Sequence, residues 1–563
     1  MNSPISLSPK DLKIMGAMMP PPQRLFNMRS PFSRAILLAV VVLLLFVMTM
    51  KQNTYDVRSA VMKAANTAKQ TMTTQHPLDS SANAYGVDDS RWQDVPSNSS
   101  ALMNCNYDTK HLKELQDRYE LGEQFEYFKR YVKVSRQDIE RKSMTKLDQR
   151  FLPNTAKTVD LGKKNLNEQC PEPLVVPVTK SPAPDSANLT DFIFGVSTTY
   201  KRFTEPETSP INDWSYWLTD NHGNSNGGKM VLLLLDASDD ELYDAWDRLH
   251  KVGIDADVFH SDSSMEMAVR YLTLVPTLYN HRERPNKKWL VLCDDDTFFP
   301  SPTSLTKRLS AVDASRPLYI GTFSEDVNQV QRHGSQAFGG AGVFISLPVG
   351  QMINELYETC KTPQKLQEAD SGWGAQGDIL LRKCIYENSD VRLTLENDLW
   401  QLDLYEDPSG FYESGIKPLS LHHYRGGGWH YAYPFEYTKI AHLCGEDCTM
   451  QRFMTEDDFV ISTGYSIAQY PEGANYNWDQ MERTFTPAPE DHGWNLDHAF
   501  GPQRSSLLRT GEKIAWDLKT ASVNEDGTVT QIYVRKAKDP RWVDAEGWPM
   551  SQVDGVIELV WLP

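Results

Sequence analysis

Basic residues are in short supply in this chain of 563 residues: 57 lysines and arginines face 75 aspartates and glutamates, a net charge of −18. Binding to a phosphate backbone needs a basic surface, so this balance speaks against a nucleic-acid partner. Cysteine is scarce too. The seven present are Cys105, Cys170, Cys293, Cys360, Cys384, Cys444 and Cys448, an odd number that leaves one without a partner in the chain. Cys293 lies within an apolar run and reads as a buried thiol. The other six pair most simply as neighbours, Cys105 with Cys170, Cys360 with Cys384 and Cys444 with Cys448, although sequence leaves the connectivity open. No internal repeat is visible, which excludes a repeat array. What is abundant points the other way: 40% hydrophobic residues and fourteen tryptophans exclude global disorder.

One apolar run stands out, "AILLAVVVLLLFVMTM" from Ala35 to Met50, preceded by Lys10, Lys13, Arg24, Arg29 and Arg34 against the single acid Asp11. Its length is near the short end of what spans a bilayer, and Arg34 can snorkel to the interface. The cationic flank is expected to stay cytoplasmic. The run is long for a cleaved signal peptide and lacks a small-x-small site after it. The expectation is a single-pass type II anchor of the Golgi membrane, with the ER as the alternative, and a lumenal C-terminal portion. Lumenal exposure gives meaning to the glycosylation sequons at Asn98 and Asn188 and permits disulfides.

The chain then divides by texture. Residues 1–34 form a cytoplasmic tail, 35–50 the anchor, 51–188 a lumenal stem, 189–430 a dense α/β region and 431–563 a β-rich extension. Within the stem, residues 108–151 carry helical spacing and abundant charge, which predicts one or two surface helices. "DFIFGVST", "MVLLLLD" and "WLVLC" read as near-continuous apolar strands, separated by the helical patterns "DDELYDAWDRLHKV" and "SMEMAVRYLTLVPTLYNH". Such a pattern predicts a mostly parallel sheet flanked by helices, with ligands bound at the carboxyl ends of the strands. Asp236 and Asp294, Asp295 and Asp296 stand at such ends. "DDFVISTGYSIAQYP", "DGTVTQIYVRK" and "GVIELVWLP" read as strands of the extension.

Three successive aspartates after a strand are often only a solvated turn. They can also hold a hard divalent cation through carboxylate oxygens, and that cation can bridge a diphosphate. The context favours the cation. "KKWLVLCDDDTFF", "RPLYIGTF", "AFGGAGVFIS", "CKTPQKLQEADSGWGAQGDILLRKC" and "PLSLHHYRG" follow one another in the order and spacing of the Fringe-like glycosyltransferases, the glycosyltransferase family 31 type that includes core-1 β1,3-galactosyltransferase. The resemblance spans about residues 190–430 and rests on five separate motifs.

That resemblance implies a GT-A fold, a UDP-sugar donor, a glycan acceptor, a manganese ion and transfer with inversion. Asp296 resembles the metal-binding aspartate, with Asp294 as a supporting ligand and Asp295 toward the donor. His422, or its neighbour His423, would supply the distal ligand, and the Ser420-Leu421-His422 pattern prefers His422. Asp378 matches the catalytic base; a cap on its own helix is the competing role for an acid there. Where many animal members carry an acid just before this aspartate, the chain has Gly377. Gly339, Gly340 and Gly342 resemble a segment passing close to the donor sugar, Thr198, Thr199 and Arg202 its uridine and diphosphate contacts, and Asp236 an acid near base or ribose. Trp373 and Trp400 suit either sugar stacking or core packing. The competing expectation is a catalytically inactive glycan-binding protein or chaperone on the same scaffold.

Overall fold

Asp108 accepts hydrogen bonds from the backbone N–H groups of Lys110 and His111 and so starts α1 (Thr109–Arg118). The computed structural model describes residues 102–106, 108–152, 157–162, 170–486 and 496–563. The expected tail, the apolar run 35–50, residues 51–101 and Asn98 lie outside them. Among the described residues no helix is long and apolar enough to cross a membrane.

Beyond α1 the helical expectation fails. Gln124–Gln137 is a strand, β1, followed by β2 (Met144–Lys146), β3 (Lys157–Asp160) and β4 (Leu174–Thr179). The reason is long-range pairing. β1 buries Phe125, Tyr127, Tyr131, Val132 and Val134, and its backbone runs parallel to the last strand of the chain, Phe125 opposite Asp554 through Lys133 opposite Leu562. A charged stretch with helical spacing thus becomes a strand because a distant partner satisfies its backbone.

The middle of the chain builds a second sheet from β5 (Phe192–Thr199), β6 (Lys229–Leu235), β7 (Ala256–Ser261), β8 (Trp289–Cys293), β9 (Tyr319–Gly321), β10 (Val343–Ser346) and β11 (Leu393–Leu395). Their order is β11-β9-β10-β8-β5-β6-β7. Every neighbouring pair is parallel except those of β10, which runs antiparallel to both β8 and β9. All five residues of β8 are buried, as are six of the seven in β6, which is why these strands read as unbroken apolar runs. Helices α2 (Asp239–Lys251) and α3 (Met267–Tyr279) cover opposite faces. Ala245 and Leu249 of α2 pack with Leu232 and Leu234, whereas Leu272, Val275 and Leu278 of α3 pack with Val231 and Leu233. The fold of this part is mixed α/β with a mostly parallel sheet.

After the two-residue strand β12 (Tyr405–Glu406), the remaining strands are β13 (Arg452–Met454), β14 (Phe459–Ser462), β15 (Ser466–Gln469), β16 (Phe485–Thr486), β17 (Ile514–Val523), β18 (Val529–Arg535) and β19 (Asp554–Leu562). With β1 to β4, the strands β13, β14, β15, β17, β18 and β19 form a ten-stranded sheet, while β16 pairs with β12 in a two-stranded one. Segments from both sides of the α/β region therefore share one sheet.

A buried acid ties the C-terminal part to the site. Glu446, itself buried, accepts hydrogen bonds from the N–H groups of Thr303 and Ser304, so a residue of the C-terminal part caps helix α4 (Pro302–Ser310), which directly follows the aspartate turn. Cys444 and Cys448 form a disulfide on either side of it. Cys105 pairs with Cys170, and Cys360 with Cys384, which joins the end of α5 (Leu347–Cys360) to α6 (Gly377–Asn388); Cys293 is free and buried.

Candidate active site

β8 delivers the aspartates to the carboxyl edge of the parallel strands, and the turn that follows is fixed from within. Thr297 Oγ accepts from Asp294 N–H at 2.9 Å and donates to the Gly340 carbonyl at 2.8 Å. The histidine pair arrives from far along the chain because Phe298 and Leu421 exchange backbone hydrogen bonds of 2.9 and 2.8 Å. His422 Nε2 then lies 3.1 Å from Asp296 Oδ1 and 3.5 Å from Asp294 Oδ2. One ligand atom from each of the three residues falls within 4.8 Å of the other two.

These groups wall a cavity of about 520 Å³ that also meets Thr198, Arg202, Tyr271 and Arg425. Burial opposes charge on Asp296, but the charge and hydrogen bond of His422 outweigh it and hold this carboxyl well below its usual range. Burial likewise opposes protonation of His422, and Asp296 with Asp294 drives its pKa well above the ordinary value. Two carboxylates and an imidazole that attract positive charge this strongly fit a divalent cation.

Asp295 faces elsewhere. It accepts from the Thr198 hydroxyl and, in a fork, from Arg202 Nε at 2.7 Å and Arg202 Nη2 at 2.5 Å. The residues expected to meet the donor are in this way brought together. Thr199 accepts from Arg202 N–H at 3.2 Å, caps the helix Tyr200–Thr204 and lines the cavity. Asp236 is different: it follows β6 in a left-handed turn at φ +55°, and only its neighbour Leu235 reaches the cavity wall.

Asp378 stands in the first turn of α6, but the residue that begins the helix is Gln376, so Asp378 is not the cap. Its half-buried carboxyl lies beside Tyr271 and Asp294. Burial and the Asp294 charge push its pKa up to about 7, against a hydrogen bond from Gly339 N–H. Both Tyr271 and Asp294 line the cavity, which puts Asp378 at its edge.

The glycines pack tightly against the side chains of the site. A Cβ on Gly340 would stand 2.0 Å from the His422 ring, and one on Gly339 would stand 2.5 Å from the Tyr271 hydroxyl and 2.9 Å from Asp378 Oδ1. Both are buried behind the cavity wall, leaving room for the side chains that form it. Gly342 turns the chain at φ +92° against Phe299. A Cβ on Gly377 would come within 2.6 Å of Tyr271, so this aromatic side chain of α3 fills the space that a side chain at 377 would need.

His423 is not part of the cation cluster. Its backbone is left-handed at φ +56°, its Nδ1 lies 3.0 Å from Asp403 Oδ1, and its ring stacks on Trp429 with centroids 4.1 Å apart. Arg425, absent from the expected residues, bonds Asp213 at 2.7 Å and lines the cavity. Tyr271 was also missed, since on sequence it is one more aromatic of an apolar helix. Of the tryptophans, Trp400 packs against Phe411 and Phe500 as core, whereas Trp373 is 75% exposed. Asn188 is exposed, its Oδ1 accepting from Thr190 N–H and hydroxyl. A second trio, Asp257, His281 and Glu283, surrounds the Lys229 ammonium, which lies 3.3 Å from both acids and already supplies the cation there.

In a mixed α/β fold the carboxyl edge of the parallel strands is where ligands bind, and the acids and histidine are gathered there. Residues 236–406 match the family described as Fringe-like, a stretch that holds the aspartate turn and Asp378 and ends before the histidine pair. No curated protein matches the chain. Among solved structures it is similar to mouse xyloside xylosyltransferase 1 (8% identity, 36% of this chain and 85% of that one, TM-score 0.24). It is also similar to a glycosyltransferase involved in glycosylation of the major capsid of PBCV-1 (14% identity, 44% and 98%, TM-score 0.23). A third is the mannosyltransferase of Pyrobaculum calidifontis in complex with GDP-Man and Mn2+ (11% identity, 38% and 60%, TM-score 0.22). At TM-scores this low the likeness says nothing about donor, linkage or metal.

Proposed function

We propose that the protein is an inverting, metal-dependent glycosyltransferase of GT-A type. It moves a hexose or N-acetylhexosamine from a UDP-sugar to a glycan acceptor, forming a β1,3 link, and works in the Golgi lumen behind a single N-terminal anchor. The observation that carries this reading is the convergence of Asp294, Asp296 and His422 on one point, with the Asp378 carboxyl at the edge of the same cavity. The cationic flank and apolar run before Lys51 support the location.

Asp294, Asp296 and His422 would hold the manganese ion. When bound, the ion neutralises charge that develops on the departing diphosphate. Arg202 and Thr198, locked to Asp295, orient the nucleotide side of the donor. Asp378 removes the proton from the acceptor hydroxyl as its oxygen bonds the anomeric carbon. On the opposite face the bond to the diphosphate oxygen breaks, and UDP leaves with that electron pair. A carboxyl raised to about 7 is well matched to proton removal near neutral pH.

The test is hydrolysis of a panel of UDP-sugars by the lumenal part, with and without manganese. Manganese-dependent release of UDP from at least one donor supports the transferase. No turnover with any donor, alongside retained glycan binding, supports an inactive glycan-binding protein instead.

A further inference from the structure

Tyr271 stands on α3 in the cavity wall, and its hydroxyl oxygen is buried with no hydrogen-bond partner among the described residues. A buried tyrosine hydroxyl normally finds a partner, because stripping it of water without one is costly. Packing alone does not account for the group. The ring lies against the apolar cluster that α3 shares with α6, where a phenylalanine would fill the same space. Two glycines make room for this side chain. A Cβ on Gly377 would stand 2.6 Å from Tyr271 Cβ and Cγ, and one on Gly339 would stand 2.5 Å from its hydroxyl. They belong to different segments, Gly377 opening α6 and Gly339 beginning the short helical turn Gly339–Ala341.

The same Cβ position on Gly339 lies 2.9 Å from Asp378 Oδ1, so the phenol and the carboxyl face one point from two helices. A phenol carries its hydrogen at neutral pH, and an ionised carboxylate can only accept. Asp378 Oδ1 is therefore an acceptor turned toward a donor that lacks one. Catalytic hydrogen bonds are often long or poorly aligned before substrate binds and tighten afterwards.

We propose that Tyr271 is a positioning residue for Asp378: with substrate bound, its hydroxyl donates to Oδ1 of the ionised carboxyl and fixes the orientation in which Oδ2 meets the incoming hydroxyl. The proton passes from that hydroxyl to Oδ2, while the phenol keeps its own hydrogen. The proposal rests on the transferase reading above.

The experiment measures manganese-dependent UDP release from UDP-glucose, UDP-galactose, UDP-N-acetylglucosamine and UDP-N-acetylgalactosamine by the full chain, with water as the incoming hydroxyl. Tyr271→Phe, Asp378→Asn and the double variant are compared with the parent. Tyr271→Phe removes only the hydroxyl. It is expected to lower kcat about tenfold, the size of a lost hydrogen bond to a charged group, while donor KM and the manganese requirement stay unchanged. In the Asp378→Asn background the same change is expected to cost nothing further, because the phenol acts only through that carboxylate. Without substrate, the melting temperature of Tyr271→Phe is expected to equal or exceed the parent's, since the hydroxyl has no partner to lose; a purely structural hydroxyl would lower it. An unchanged kcat, or a loss that appears in donor KM or manganese requirement, overturns the proposal and leaves the transferase reading intact. So does a further loss on top of Asp378→Asn, or a melting temperature below the parent's. If Asp378→Asn releases no measurable UDP, the kcat, KM and melting comparison of Tyr271→Phe with the parent decides alone. A parent that releases UDP from no donor ends the transferase reading and this proposal with it.

Discussion

His422 Nε2 lies 3.1 Å from Asp296 Oδ1, although the two residues belong to segments far apart in the chain, which the paired backbones of Phe298 and Leu421 bring together. Around this contact the acids of one strand end and the imidazole form a single charged wall, and the Asp378 carboxyl stands beside Tyr271 and Asp294 at its edge.

If that wall holds a cation, Asp296 is the ligand that its loss exposes most. Asp296→Ala is expected to reduce manganese-dependent UDP-sugar hydrolysis by on the order of 100-fold or more, the usual size of losing one such electrostatic group. Asp295→Ala is expected to act differently, raising the donor KM through release of Arg202 while manganese affinity stays near that of the parent. Steady-state kinetics against donor and manganese separate the two.

Asp378 must be ionised to take a proton, so transfer is expected to rise with pH through about 7, and that acid limb is expected to vanish in Asp378→Asn together with activity. Stability runs the other way. An unfolded aspartate titrates near 3.9 and the folded one near 7, so the folded state holds this proton more tightly. The stability contributed by the protonated form is lost as pH rises from about 4 to about 7. Asp378→Asn is accordingly expected to melt higher than the parent at pH 8, with the gap closing toward pH 5. Paired pH profiles of rate and melting temperature check both signs.

Gly340 has no room for even a methyl group, since a Cβ there meets the His422 ring at 2.0 Å. Gly340→Ala is expected to cost about 1–3 kcal/mol in stability, as overpacked cores do, and to weaken manganese binding by displacing the imidazole. Gly427→Ala, at an exposed turn with open space around it, is expected to leave manganese affinity unchanged. Denaturant melts and manganese titrations of both variants make the comparison.

The Cys360–Cys384 disulfide joins α5 to the helix that carries Asp378, closing a loop with a sequence separation of 24. Replacing both cysteines with alanine is expected to cost about 3 kcal/mol from the freed loop alone. Chemical denaturation under oxidising conditions measures it, and a larger fall in kcat than in donor affinity would mark the misplacement of Asp378.

The parts of the fold legible in the sequence are those whose burial is continuous. β5, β6 and β8 read as strands because nearly every residue in them is buried, and α2 and α3 because each offers one apolar face. β7 was not visible, since Asp257 and His260 interrupt its apolar pattern for reasons that lie outside it: Lys229, His281 and Asp239. β1 was misread because its partner is the far end of the chain. The same holds at the site. The aspartate turn, Asp378 and His422 carry motifs, whereas Tyr271, Asp403 and Arg425 act through packing and pairing that no local pattern announces. Gly339 and Gly340 stand out as motif residues, and only the structure shows that a side chain on them would meet Asp378 and His422.

The most direct measurement is a crystal structure of residues 102–563 grown with manganese and UDP, with anomalous scattering used to locate the metal. The account predicts one strong peak bonded to Asp296, His422 and the diphosphate, with Asp294 beside it. A peak elsewhere, or none while UDP is clearly bound, would contradict it.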